Sequence, residues 1–189
     1  MRLVIVVCAW VVPVQATELG DDGLHKQDWF VTTFRDIRED IETAREEGKR
    51  LAIIIEQRGC IYCDRLHEKV LSDPEVAKYI SENFMVVQYN MFGDEEVTDL
   101  DGEELSEKKA VRKWRLNFTP TIVFLPDQID ENSKDVGSVS VAVLPGAFGK
   151  WTTLNMFKWV REKIYLTDEP FQKFHARLIE AQRAAGKLK

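Results

Sequence analysis

The chain has 189 residues, 44% hydrophobic and 31% charged, which excludes a disordered chain and leaves room for one domain with a core, with or without an extension. A net charge of −6 argues against nucleic acid or an anionic membrane surface as the main partner.

Met1-Arg2 is a short basic start, followed by an apolar run over residues 3–14 that is too short to span a bilayer as a helix. Val14-Gln15-Ala16 fits a small-residue cleavage pattern, so residues 1–16 read as a secretory signal peptide and the mature chain as exported. A retained membrane anchor fits the length and flanks less well. Cys8 lies inside the apolar run, after Val6 and Val7, where a lipid-attached cysteine would have small residues. Cleavage removes Arg2 and no acid, taking the charge from −6 to −7. It also leaves only two of the three cysteines, Cys60 and Cys63.

Residues 17–27 form an N-terminal segment, and residues 28–165 carry the alternating pattern of one domain. Residues 28–49 place Phe30, Phe34, Ile37, Ile41 and Ala44 at helical spacing, with Gly48 as a stop. Residues 51–55, LAIII, are a short β-branched run and read as a buried strand. The cysteines follow, then residues 64–70 with helical character. Asp73-Pro74 restarts a helix, because Asp caps well and Pro fits the first turn. Val76, Ile80 and Phe84 are its buried face. Residues 85–90 read as a strand and residues 107–114 as a helix with Ala110, Val111 and Trp114 inward. Strands are expected over residues 121–125, directly after Pro120, and over residues 138–144. Pro145-Gly146 makes a turn, and residues 154–164 form an amphipathic helix. The order α-β-α-β-α-β-β-α predicts an early parallel crossover and a late hairpin, in a mixed sheet with helices on both faces. Residues 166–189 read as a C-terminal helical extension without chemistry of its own.

Chemistry concentrates in residues 58–67, RGCIYCDRLH. A covalent haem would need His after the second cysteine, where Asp64 stands. Zinc would take Cys60, Cys63 and His67, but a structural site needs a fourth ligand, and His25 and His175 are remote in sequence. His67 reads as an exposed helix residue near the site. An inert disulfide between residues three apart closes a very small loop, which makes it a weak staple. Thiol exchange fits best. Cys60 sits at a helix N-terminus, where unpaired N–H groups favour its thiolate, while Cys63 lies one turn in and more buried. Cys60 would attack a disulfide, and Cys63 would resolve the mixed disulfide. Arg58 would favour the thiolate and Glu56 would oppose it.

A strand, CxxC, helix, strand, helix, then Phe118-Thr119-Pro120-Thr121 opening a strand, resembles the thioredoxin family over about residues 28–165. The resemblance implies a thioredoxin-like fold and a thiol:disulfide oxidoreductase without cofactor or metal. It implies that the bond before Pro120 is cis and beside the CxxC, with Thr119 and Pro120 binding substrate by offering backbone to an incoming strand. The chain departs from the common pattern. Gly59 stands where Trp is usual, and Ile61-Tyr62 where Gly-Pro is usual; Tyr62 in that place is similar to glutaredoxins. Ile54 stands where the family usually has a buried acid. Glu56, two residues on, points to the same face and reads equally as a replacement for that acid or as a solvated strand end. The GCxYC form in an exported chain is similar to thioredoxin-like proteins linked to bacterial sulfur oxidation. That implies periplasmic protein thiols or disulfides as partners, an upstream membrane electron donor, and no stable membrane insertion after cleavage. A disulfide-donating oxidant and a non-catalytic thioredoxin-fold binding module remain alternatives.

The acidic residues 94–107 read as a solvated loop leading into a helix cap at Ser106, since calcium-loop spacing is lacking. Trp114, Phe124, Phe148, Trp151, Phe157 and Trp159 read as core.

Overall fold

The computed structural model describes residues 18–188; the expected signal peptide and Cys8 lie outside the described residues. A small antiparallel pair, β1 (Glu18–Leu19) and β2 (His25–Lys26), opens this region. The central sheet has four strands: β3 (Arg50–Glu56), β4 (Phe84–Asn90), β7 (Thr121–Phe124) and β8 (Ala142–Pro145). Its order is β4-β3-β7-β8, with β4 parallel to β3 and the β7–β8 hairpin antiparallel. A separate hairpin pairs β5 (Glu96–Thr98) with β6 (Glu104–Ser106). The helices are α1 (Ile37–Glu46), α2 (Ile61–Leu66), α3 (Pro74–Asn83), α4 (Glu107–Lys113), α5 (Val136–Val139), α6 (Lys150–Arg161) and α7 (Phe171–Ala184). A π-helical turn, His67–Leu71, extends α2. No helix among the described residues is long and apolar enough to cross a membrane.

The run LAIII is continuously apolar because β3 is covered on both faces. Leu51, Ile53 and Ile55 pack with α1, α4 and Trp114 on one side. Ala52 and Ile54 pack with Leu66, Val76, Phe124 and Phe157 on the other. The edge-to-face trio Phe84, Phe124 and Phe157 fills the centre of that second layer. This is the expected mixed sheet flanked by helices. Of the aromatic residues read as core, Phe148 is the exception, at 41% exposed.

Three expected boundaries are corrected. The helix expected over residues 28–49 begins only at Ile37. Arg35 takes a left-handed φ of 60°, and the Asp36 side chain caps α1 by accepting from Arg38 N and Glu39 N. Residues ahead of that cap run along the edge of β4, where Val31 N donates to Val86 O at 2.8 Å. Phe34, placed on a helix face by spacing, is therefore 97% exposed. Second, the strand expected over residues 138–144 is a short helix, α5, followed by β8. Its partner β7 offers only four residues, and Asp135 caps the chain ahead of them by accepting from Ser138 N at 2.8 Å. Third, the acidic loop is a folded hairpin. Val97 and Leu100 are buried, and so are Asp99 and Glu107. Asp99 is held by Trp114 Nε1 and Lys113 Nζ, each at 3.0 Å, and Glu107 by Arg35 and Asn90 N. Ser106 precedes α4 but makes no side-chain cap.

The C-terminal extension docks. Phe174 of α7 is buried, Asn155 of α6 contacts His175 at 3.0 Å, and Phe171 packs edge-on against Trp159. Below it, the buried Arg50 donates to the carbonyls of Val160 and Leu125 at 3.0 Å each and to the Tyr165 hydroxyl at 2.9 Å.

Candidate redox site

Parallel pairing puts the ends of β3 and β4 at one edge of the sheet, and antiparallel pairing brings the start of β7 there. Ile55 lies beside Thr121, and Thr121 beside Pro145. The turn after β3 therefore carries the cysteines toward the residue pair that opens β7. Gly59, with a φ of 69°, makes that turn, which a side-chain-bearing residue would resist. It leads directly into α2.

Cys60 and Cys63 form a disulfide with their Cα atoms 5.2 Å apart. Cys60 is the N-cap of α2, and its sulfur accepts from Cys63 N at 3.1 Å. Cys60 is partly exposed, whereas Cys63 is 1% exposed. The two cysteines thus differ in access as the spacing predicted: Cys60 is partly exposed and Cys63 is buried.

The Thr119–Pro120 peptide is cis. The Pro120 carbonyl accepts from Gly146 N at 2.7 Å, which ties this turn to the end of β8. No backbone hydrogen bond to the N–H or carbonyl of Thr119 is formed among the described residues. Apolar side chains project around this edge. Ile61 and Tyr62, between the cysteines, and Phe118, before Thr119, are all exposed. Phe148 stands by Gly146, where an added Cβ would meet its ring at 3.8 Å.

Glu56 is not a solvated strand end. Its side chain is 1% exposed and that of His67 is 0% exposed, so the expectation of an exposed His67 is corrected. His67 Nε2 lies 3.1 Å from both carboxylate oxygens of Glu56, and Gln88 Nε2 donates to Glu56 Oε2. Gln27 Nε2 approaches His67 Nδ1 at 3.1 Å, and Lys26 Nζ donates to Gln88 Oε1 at 2.6 Å. The physical cause of His67's burial is helical phase. Its backbone N–H donates to Cys63 O, so it stands one turn beyond Cys63 on the buried face of α2. The apolar neighbours Leu66 and Val70 carry that signal in the sequence. Gln27, Gln88 and Lys26 carried none, because tertiary packing alone unites them. Arg58, expected beside the thiolate, donates instead to the carbonyl of Asp22 at 3.2 Å. It lies over Gly23, where an added Cβ would meet its Nε at 2.6 Å. Among the described residues no group of His, Cys, Asp and Glu is arranged to hold a metal ion.

Known proteins agree with this architecture. The family model of the thioredoxin-like domain matches residues 37–143. No curated protein sequence matches the chain. Among solved structures, a thioredoxin-fold protein from Helicobacter pylori superposes with a TM-score of 0.52 at 20% identity, over 82% of this chain and 98% of the other. A thioredoxin from Thermus thermophilus does so with a TM-score of 0.50 at 22% identity, over 66% and 83%. With a family match over more than half its length and a CxxC disulfide at the helix start, the chain belongs to the thioredoxin-like domain family.

Proposed function

We propose that the chain is an exported thiol:disulfide oxidoreductase that reduces disulfides in periplasmic partner proteins. The observation that carries this reading is the disulfide joining a partly exposed Cys60 to a buried Cys63 at the start of α2. In the reduced protein the Cys63 N–H that now reaches Cys60 Sγ is available to stabilise a Cys60 thiolate. That thiolate attacks a client disulfide, forming a Cys60–client bond and releasing one client thiolate. Cys63, as thiolate, then attacks Cys60 Sγ. The Cys60–Cys63 bond forms, and the second client sulfur leaves with its electron pair. The client is reduced by two electrons and the enzyme dithiol is oxidised. A dithiol donor, expected at the membrane, restores it.

Thr119 and Pro120 are the client-positioning element. The unpaired backbone groups of Thr119 fit an extended segment laid along this edge, and strand addition of that kind asks little of client sequence. The exposed Ile61, Tyr62 and Phe118 favour an apolar stretch in that segment. Export rests on the pattern of residues 1–16. The narrower role, keeping partner thiols reduced in bacterial sulfur oxidation, rests on the GCxYC form.

The reduction potential of the Cys60–Cys63 pair, measured against defined thiol buffers, tests the direction. A value near about −270 mV supports a reductase, and one near about −120 mV makes the protein a disulfide donor. Trapping tests the chemistry itself: Cys63→Ser should accumulate a mixed disulfide through Cys60, and Cys60→Ser should not. If neither variant alters partner binding and no mixed disulfide forms, the protein is a binding module.

A further inference from the structure

The CxxC turn has a different neighbour on each side. In the order β4-β3-β7-β8 it leaves the end of β3, with the start of β7 on one side and the end of β4 on the other. The β7 side is the edge of Phe118 and Thr119, where the client segment lies. On the β4 side is an open cleft of about 640 Å³ that the mechanism does not use. Open α/β sheets take ligands in crevices outside the carboxyl ends of their strands. We propose that this cleft receives a lysine or arginine side chain of the client, beside the disulfide under attack, and so selects basic client segments.

The cleft adjoins the reacting sulfur through the chain itself. Gln57 and Arg58, which line it, lead through Gly59 into Cys60. Two more lining residues, Gln88 and Asn90, end β4, and Phe92, Asp94 and Glu95 belong to the loop that follows. That loop is fixed before any client arrives. The Gly93 carbonyl accepts from Lys108 N at 3.1 Å, and the Glu95 carbonyl from Glu107 N at 2.9 Å. Behind it, the buried Glu107 carboxylate accepts from Asn90 N at 2.9 Å and lies against Gly93, leaving no room there for a Cβ.

The charges around the cleft are unequally satisfied. Its lining holds four carboxylates, on Asp22, Asp94, Glu95 and Glu107, and two guanidiniums, on Arg35 and Arg58, a balance of 2 − 4 = −2. Arg35 is paired with Glu107, and Asp22 with Lys26 at 2.5 Å. Arg58 donates to the Asp22 carbonyl at 3.2 Å. In the hairpin beyond, Lys113 meets Asp99, Asp101 and Glu103. Asp94 and Glu95 are exposed, and among the described residues their side chains have no hydrogen bond or ion pair. Beside them the Phe92 ring is 59% exposed, a face on which the stem or charge of a basic side chain can lie. A fixed cleft with two unanswered carboxylates and an aromatic face fits a cationic side chain and repels an acidic one.

This inference rests on the thiol-exchange reading, and one experiment separates the two. Two peptides of otherwise identical sequence carry a cysteine in disulfide linkage to nitrothiobenzoate, flanked by lysines in one and by glutamates in the other. Release of nitrothiolate by the pre-reduced full chain is measured for each peptide and divided by its rate with dithiothreitol, which removes intrinsic reactivity. The lysine peptide should react about tenfold faster at low salt, the size expected of local electrostatic steering. The ratio should shrink toward one as salt rises from about 0.01 M to about 1 M. Asp94→Asn combined with Glu95→Gln should cut it to about threefold or less. Glu82→Gln combined with Glu180→Gln removes the same charge from exposed sites on α3 and α7 and should leave it at the wild-type value. A ratio of rates is insensitive to how much of each variant folds. A wild-type ratio near one, a ratio unmoved by the cleft variant, or an equal fall in both double variants overturns the inference and leaves the oxidoreductase standing. No release from either peptide overturns the oxidoreductase reading, and the inference with it.

Discussion

Strand β3 carries a buried charged residue at each end, and the two are held by different kinds of partner. Arg50 at the start donates to two backbone carbonyls and a tyrosine hydroxyl. Glu56 at the finish meets an imidazole and a side-chain amide. The partners of Arg50 cannot take its proton, so that end is fixed. The partners of Glu56 are side chains, an imidazole and an amide, and its neighbour along the chain is the turn to the cysteines. A buried charge held mostly by backbone is set by the fold itself, whereas one held by side chains depends on tertiary packing to bring them together.

The largest expected effect falls at the cysteine end. Cys60→Ser should abolish reduction of a protein disulfide while leaving thermal unfolding of the reduced protein nearly unchanged, since Cys60 lies outside the core. Equal loss of stability and activity would break the contrast. At the other end, Arg50→Met should cost about 3 kcal/mol in urea unfolding, because charge-assisted bonds to Val160, Leu125 and Tyr165 are lost together. Its thiol kinetics, per folded molecule, should match wild type.

Asp99 tests an intermediate case, a buried carboxylate held by Lys113 and by Trp114 Nε1. Lys113→Met should cost about 2 kcal/mol, below the usual cost of breaking a buried pair because Trp114 remains as donor and Lys113 is partly exposed. A change below the error of the unfolding curve would show that the tryptophan suffices.

Asp40 should give an effect of the opposite sign, and it depends on pH. Burial pushes its carboxyl up to about 6, with the Thr33 hydroxyl bond pulling the other way and the Asp36 and Glu39 charges adding to the rise. The folded state therefore holds this proton more tightly than the unfolded state. The stabilisation is complete below about 4, the ordinary range, and is lost as pH rises through about 6. Asp40→Asn should raise Tm above about pH 6 and lose that advantage in acid. A Tm difference independent of pH would show that Asp40 ionises without cost.

How much of this was legible depended on range. Buried runs such as LAIII and the Asp73-Pro74 start of α3 are local patterns, and the chain folds as they indicate. Phe30 and Phe34 also stood at helical spacing, yet the cap at Asp36 and the edge of β4 claimed that segment. The acidic residues 94–107 looked solvated because composition cannot show that Lys113 and Arg35 will close over two of their carboxylates.

The sequence by itself determined the CxxC at a strand-to-helix junction, the TPT segment before an apolar strand, and the alternation that makes a mixed α/β sheet. Each depends on residues a few positions apart, where spacing alone fixes phase. Only the tertiary structure decided that Glu56 is buried, that the inward-facing His67 meets it, and that Gln27 and Gln88 complete their bonding. Those contacts join β3, the π-helical turn after α2, β4 and the N-terminal segment. A polar side chain carries no sign in sequence of whether water or a distant residue will satisfy it.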